Sequence, residues 1–213
     1  MNKDLGVPPS GSGCQPSASA VPASQSGIPN VGRVPEGECG DYRIEHFSVD
    51  EDAARRTAIR AWRDEYVPAG DYTRLMRGRT VVMSDTPMEK RTNWWIMHHA
   101  KGHVLLNGLG IGMVLRAILA KPEVISVTVV EKAPEVIELV GPTFSSDPRL
   151  TVIAADALEY QPPKDLRFDI VWHDIWDFIC ADNLPEMHRL HRKYGRRCAE
   201  QASWCRDRCE MLK

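Results

Sequence analysis

The chain has 213 residues, 43% of them hydrophobic and 26% charged, enough to bury one substantial core and too few for a second full domain. A formal net charge of -2 and a pI near 6.4 exclude a global attraction to nucleic acid or anionic membrane and leave only local patches. No apolar run approaches the roughly 20 residues of a membrane span, and the start MNKDLGVPPSGSGC lacks the apolar centre of a secretory signal. Six cysteines without regular spacing read as reduced thiols, which agrees with a cytoplasmic protein.

Residues 1–40 are rich in Pro, Ser and Gly and nearly free of large apolar side chains, so burial cannot offset the entropy of ordering them. They read as a disordered tail. Residues 41–100 read as helix, hairpin and helix. Ser48-Val-Asp-Glu51 is a capping-box pattern opening a helix to about Arg63, with Ala54, Ala58, Ile59 and Trp62 on its buried face. Extended runs at 72–76 and 80–83 flank Arg77-Gly78 as a hairpin. Thr86-Pro-Met-Glu89 then offers a cap, a first-turn Pro and a reciprocal Glu for a helix from Pro87 to about Ala100.

From residue 101 to 181 strands alternate with helices: strand 103–107, helix 113–120, strand 126–130, helix 134–140, strand 150–154 and strand 168–172. That alternation predicts an α/β fold with a parallel, Rossmann-like sheet, right-handed crossovers and helices on both faces. A ligand crevice is expected at the carboxyl ends of the strands. Residues 182–213 read as a helical segment broken at Gly195 and followed by no strand. The expectation is therefore a sheet shortened to about four parallel strands.

The first strand of this core runs into Asn107-Gly-Leu-Gly-Ile-Gly-Met113, with glycines at 108, 110 and 112 between strand and helix. Glycine there lets backbone amides approach a ligand closely, and a helix start favours negative charge. Met113 occupies the place where the dinucleotide fingerprint needs its third glycine, which counts against a nicotinamide cofactor. Glu131 ends the second strand, where a carboxylate accepts the two hydroxyls of a ribose. Asp156 ends the third, where it can accept from an exocyclic adenine amine. Asp174 ends the fourth. Each feature alone also has a purely structural explanation, whether a tight turn or an acid at a helix start.

The stretches VLLNGLGIGMVLRAILAKPEVISVTVVEKAPEVI, DPRLTVIAADALEY and FDIVWHDIWD resemble the class I S-adenosylmethionine-dependent methyltransferases, in particular their spermidine synthase-like branch, over roughly residues 79–180. The resemblance implies S-adenosylmethionine as cofactor. Its methionine part would lie on Gly108, Gly110 and Gly112 beside Asn107, its ribose on Glu131 and its adenine on Asp156 and Ala157. Asp174 matches the family's acid beside the reacting centre, and Asp177 the second acid of its Asp-Ser-Ser-Asp-Pro motif. The sequence departs from the family in two places. Ile111 stands where aminopropyltransferases carry Asp, and Asp174-Ile-Trp-Asp177 replaces the Asn/Asp-Pro-Pro-Tyr motif of amino-methylating nucleic-acid enzymes.

Three functions stay open on these residues: a methyltransferase for a small or amine-bearing acceptor, a non-catalytic cofactor-binding or assembly protein, and an aminopropyltransferase. Asp174 would orient an acceptor amine or take its proton, with Trp172 or Trp176 facing a cation. Strand alternation puts Trp172 and Asp174 on one side and His173 on the other. The basic cluster at 189–197 reads as a solvated helix face rather than a nucleic-acid site. Cys198, Cys205 and Cys209 fall on one helical stripe as buried thiols, and neither they nor His98-His99 are expected to hold a metal. An uncovered sheet edge leads to the expectation of a homo-oligomer.

Overall fold

The computed structural model of this chain describes residues 33–60 and 66–213. The expected tail up to residue 32 and the end of the first helix, including Trp62 and Arg63, lie outside them. The described part of the tail region is folded: Val34 is 2% exposed, Arg33 Nε donates to Thr73 Oγ1 at 2.7 Å, and Gly37–Cys39 is a strand.

Two sheets frame the described residues. The first is antiparallel, in the order β1 (Gly37–Cys39), β2 (Tyr42–Val49), β3 (Gly70–Arg77) and β4 (Thr80–Ser84). The expected hairpin is β3–β4, with Arg77 opposite Thr80. The capping box is corrected. Ser48 sits inside β2 and donates to Asp71 Oδ1 at 2.5 Å, while Asp50 accepts from the Ala53 N–H at 2.6 Å and so caps α1 (Glu51–Arg60). In that helix Ala54 is buried and Ala58 is exposed. The expected helix at 87–100 is split at Asn93 into α2 (Pro87–Thr92) and α3 (Trp94–His99).

The second sheet is wholly parallel and has the order β7-β6-β5-β8-β9. Its strands are β5 (Gly102–Asn107), β6 (Val124–Glu131), β7 (Leu150–Ala154), β8 (Phe168–His173) and β9 (Cys198–Ser203). The Val and Ile runs of β5, β6 and β8 suit strands covered on both faces. α4 (Met113–Leu119) and α5 (Pro134–Val140) share one core with Val104, Leu106, Val127, Val129 and Trp172. α6 (Leu184–Tyr194) covers the other face through Leu190 and Tyr194, against Leu105 and Val171.

The shortened sheet is the main correction. β9 is a fifth parallel strand, in register with β8 from Phe168↔Cys198 to His173↔Ser203, and α7 (Arg206–Met211) follows it. The stripe of thiols goes with it: Cys198 belongs to β9, Cys205 has a positive φ of 47° and Cys209 is in α7. No cysteine among the described residues is bonded to another, and none of the described helices is long and apolar enough to cross a membrane.

One core joins the two sheets. Ile44 and Leu75 of the first pack in the same cluster as Ile96, Leu109 and Trp172. Polar contacts join them as well: Cys39 Sγ donates to Glu138 Oε2 at 3.4 Å, and Arg77 pairs with Asp177.

Candidate functional site

β5 is the central strand, so its carboxyl end lies between those of β6 and β8, at the point where strand order reverses and doubly wound sheets bind ligands. The turn after it holds positive φ at Gly108 (103°), Gly110 (51°) and Gly112 (70°). Each also faces something a Cβ would strike: the Asp174 carbonyl oxygen at 2.0 Å, Met83 Sδ at 2.3 Å and Phe144 Cε2 at 2.4 Å. Glycine is therefore demanded twice over at each position. The three differ in what they serve. Gly108 and Gly110 line a cavity of about 810 Å³, whereas Gly112 lets α4 pack on Phe144 and does not border the cavity.

Glu131 fastens this turn. Its Oε2 accepts from the Leu109 N–H and its Oε1 from the Ala133 N–H, both at 2.8 Å. Asp156 accepts from the Leu158 N–H and from Lys132 Nζ, each at 2.8 Å. The Lys132 hydrogen bond comes first among the causes that hold its carboxyl below the usual range. Ala157 is buried beside it. Glu131, Asp156, Ala157, Asp174 and Asp177 all border the cavity with the first two glycines.

Asp174 follows β8, and its N–H bonds the Asn107 carbonyl at 2.8 Å. Burial pushes its carboxyl up to about 8, with the charge of Glu89 adding to the effect. Glu89 is 9% exposed and borders the same cavity, and burial raises it to about 7. From the sequence, Glu89 is expected to serve as the reciprocal residue of a cap. In the structure Thr86 makes no side-chain cap bond, and Glu89, Asn93, Ile96 and Ala100 form one buried stripe. That 4-3-4 spacing was the available signal. The apolar part of the cavity wall comes from distant parts of the chain: Leu75, Val82 and Met83 of the first sheet, with Trp172 and Trp204.

Several residues lie elsewhere. Asn107 is fully buried and away from the cavity, with its Nδ2 donating to His173 Nδ1 at 2.7 Å. His173 Nε2 then bonds Gln201 Oε1 at 3.3 Å. With Nδ1 accepting and Nε2 donating, the ring is neutral, and burial depresses it to about 3. It packs beside Tyr194 under α6, on the side of β8 opposite Trp172. Trp172 stacks on Trp95 at 5.9 Å, and Trp176 Nε1 donates to Glu186 Oε2 at 2.8 Å. The basic cluster is partly spent inside the chain: Lys193 holds the Ala157 and Leu158 carbonyls, Arg197 the Pro163 carbonyl and Arg189 the Glu159 carboxylate. His98 and His99 bond the Trp94 and Trp95 carbonyls. Among the described residues no group of acidic, His or Cys side chains could hold a metal.

Neither a family model nor a curated protein matches this sequence. Solved structures do. Spermidine synthase from Thermotoga maritima is 17% identical, with 79% of this chain and 54% of that one covered and a TM-score of 0.49. The N-methyltransferase NodS from Bradyrhizobium japonicum, in complex with S-adenosyl-l-homocysteine, is 16% identical, with 54% of this chain and 59% of that one covered and a TM-score of 0.44. The 23S rRNA methyltransferase ErmE is 25% identical, with 41% of this chain and 36% of that one covered and a TM-score of 0.35. The chain spans less than two thirds of the length of each. In its doubly wound fold the chain is similar to the class I S-adenosylmethionine-dependent methyltransferases.

Proposed function

We propose that this chain binds S-adenosylmethionine and transfers its methyl group to a small, amine-bearing acceptor. One observation carries the reading: a single cavity of about 810 Å³ is bordered together by the glycine turn, by Glu131, by Asp156 and Ala157, and by Asp174. Its size suits a cofactor with a small acceptor beside it. The residues present fit such a group. Gly108 and Gly110 bring the turn's backbone to the cavity border, close against Asp174 and Met83, where a methionine moiety would lie. Each oxygen of Glu131 accepts one backbone N–H and keeps a lone pair for a ribose hydroxyl. Asp156 and Ala157 border the end suited to adenine.

When bound, S-adenosylmethionine supplies an electrophilic methyl group on a sulfonium. The chain's own contribution is positioning. Asp174 holds the acceptor nitrogen and takes its proton, and a carboxyl raised to about 8 suits that exchange near neutral pH. Leu75, Met83, Trp172 and Trp204 supply an apolar stretch of the same cavity wall. The apolar wall supports catalysis over mere cofactor binding, because it gives an acceptor a place to lie. Ile111 is 3% exposed and packs in the core, away from the cavity. It leaves the turn without the acid of aminopropyltransferases.

The test is calorimetric titration of the whole chain with S-adenosylmethionine and S-adenosylhomocysteine, repeated on Gly110→Arg and Glu131→Ala. Binding by the wild type and its loss in both variants is the expected result, and no binding by the wild type would sink the proposal. Mass spectrometry of a small-amine panel incubated with S-adenosylmethionine then separates a methyl from an aminopropyl adduct.

A further inference from the structure

The cavity is strongly acidic. Seven carboxyl-bearing residues and two bases border it, and both bases are already paired, Arg77 with Asp177 and Lys132 with Asp156. Within it Glu89 from α2 and Asp174 from the end of β8 border the same space, and the charge of Glu89 adds to the raising of Asp174. Among the described residues no cation acts on either, and the Cys205 thiol that faces both is uncharged because burial pushes it up to about 12. Hydrogen-bond donors are also short. A Ser84 backbone N–H serves Glu89. The Trp172 indole acts weakly on Asp174, yet its Nε1, in a side chain 3% exposed, completes no hydrogen bond. Two carboxyls with few donors and no countercharge among the described residues, at the edge of a cavity, are an arrangement that folding alone penalises.

We infer that Glu89, acting with Asp174, selects the acceptor: a primary or secondary amine that enters as its ammonium ion. The inference rests on the methyltransferase reading and adds to it a residue outside the glycine-turn constellation. An ammonium brings the two things the pair lacks, a positive charge and up to three N–H donors. A phosphate, carboxylate or thiolate would meet repulsion instead. For transfer, the ammonium gives one proton to a carboxylate of the pair, and the freed nitrogen lone pair forms the N–C bond as the C–S bond breaks. The C–S electrons remain on sulfur as a neutral thioether, and the positive charge passes to the methylated nitrogen.

The experiment needs no knowledge of the natural acceptor. Sinefungin carries an amine-bearing carbon where S-adenosylmethionine has its methylsulfonium, and S-adenosylhomocysteine carries neither charge nor methyl there. Both are titrated into the whole chain at pH 6 and pH 8.5, wild type and Glu89→Gln. Sinefungin should bind the wild type about tenfold more tightly at pH 8.5, the size expected of one charge-assisted hydrogen bond. That preference should shrink at pH 6, where the pair is protonated, and should be lost in Glu89→Gln while S-adenosylhomocysteine affinity is unchanged. Equal affinities for the two ligands in the wild type at pH 8.5, or a preference that survives Glu89→Gln, would overturn the inference while leaving the cofactor reading standing. Failure of S-adenosylhomocysteine to bind the wild type would overturn both. If Glu89→Gln does not fold, the wild-type pH dependence decides, and a flat ratio refutes the inference.

Discussion

The two halves of the cavity treat their carboxyls in opposite ways. On the side of Glu131 and Asp156, each carboxyl is met by backbone N–H groups, Glu131 from the turn after β5 and from the loop after its own strand, Asp156 from the loop after β7, and Asp156 is held below its ordinary range. Those acids serve as struts that shape a turn. On the side of Glu89 and Asp174, two carboxyls share an apolar enclosure and both are raised. There the acid is kept against its own stability, which is the usual mark of a group retained for chemistry rather than architecture.

The strongest way to break the strut side is Gly108→Val. A Cβ there would lie 2.0 Å from the Asp174 carbonyl at a φ of 103°, so the loss should reach about 3 kcal/mol or more. Urea unfolding measures it, and a loss below about 1 kcal/mol would show that the turn is not tightly specified. Next in size, Glu131→Ala removes the acceptor of two N–H groups. We expect about 2 kcal/mol of destabilisation by the same assay, with loss of cofactor binding.

The acid pair is sharpened by pH. A carboxyl raised on folding is protonated in both states at low pH. As pH climbs from its ordinary value to its raised one, the folded state keeps a proton the unfolded state has released, and stability falls. For Glu89 the window runs from about 4.5 to about 7. Glu89→Gln should therefore match wild type near pH 4.5 and exceed it at pH 8.5 by on the order of 3 kcal/mol. His173, depressed to about 3, destabilises both proteins on acidification and cancels in the difference. Thermal melts at the two pH values give the answer, and equal melting at pH 8.5 would contradict the burial of an ionised Glu89. Smallest of all, Arg77→Ala breaks the pair with Asp177, whose arginine side chain is 47% exposed. Stability should change by less than about 1 kcal/mol.

The legible parts of the molecule were those governed by neighbours in sequence. β6 is six Val, Ile or Thr residues and a Ser before Glu131, and nothing else in the menu accommodates such a run as well. β9 was hidden for the opposite reason. CAEQAS is built of helix formers, and it is a strand because β8 offers it an open row of backbone groups from Phe168 to His173. β2 carried a readable alternation in RIEHFSV, masked by a capping-box match at Ser48 that Asp50 in fact supplies. At the site, the glycines and strand-end acids are legible in the sequence, while Asn107 and Gly112 serve packing and the burial of Glu89 is hidden behind a cap motif.

By itself the sequence determined the glycine turn and the order of strands and helices around it, since φ freedom and β-branched or amphipathic patterning act over a few residues. Only the tertiary structure decided that Met83 of one sheet would lie against Gly110 in the turn leaving the other, that β9 would complete the edge beside β8, and that Glu89 would share a cavity with Asp174. Those are contacts between residues far apart in the chain. They exist because burying both sheets in one core brings them together, and a side chain's charge state follows from the enclosure that results.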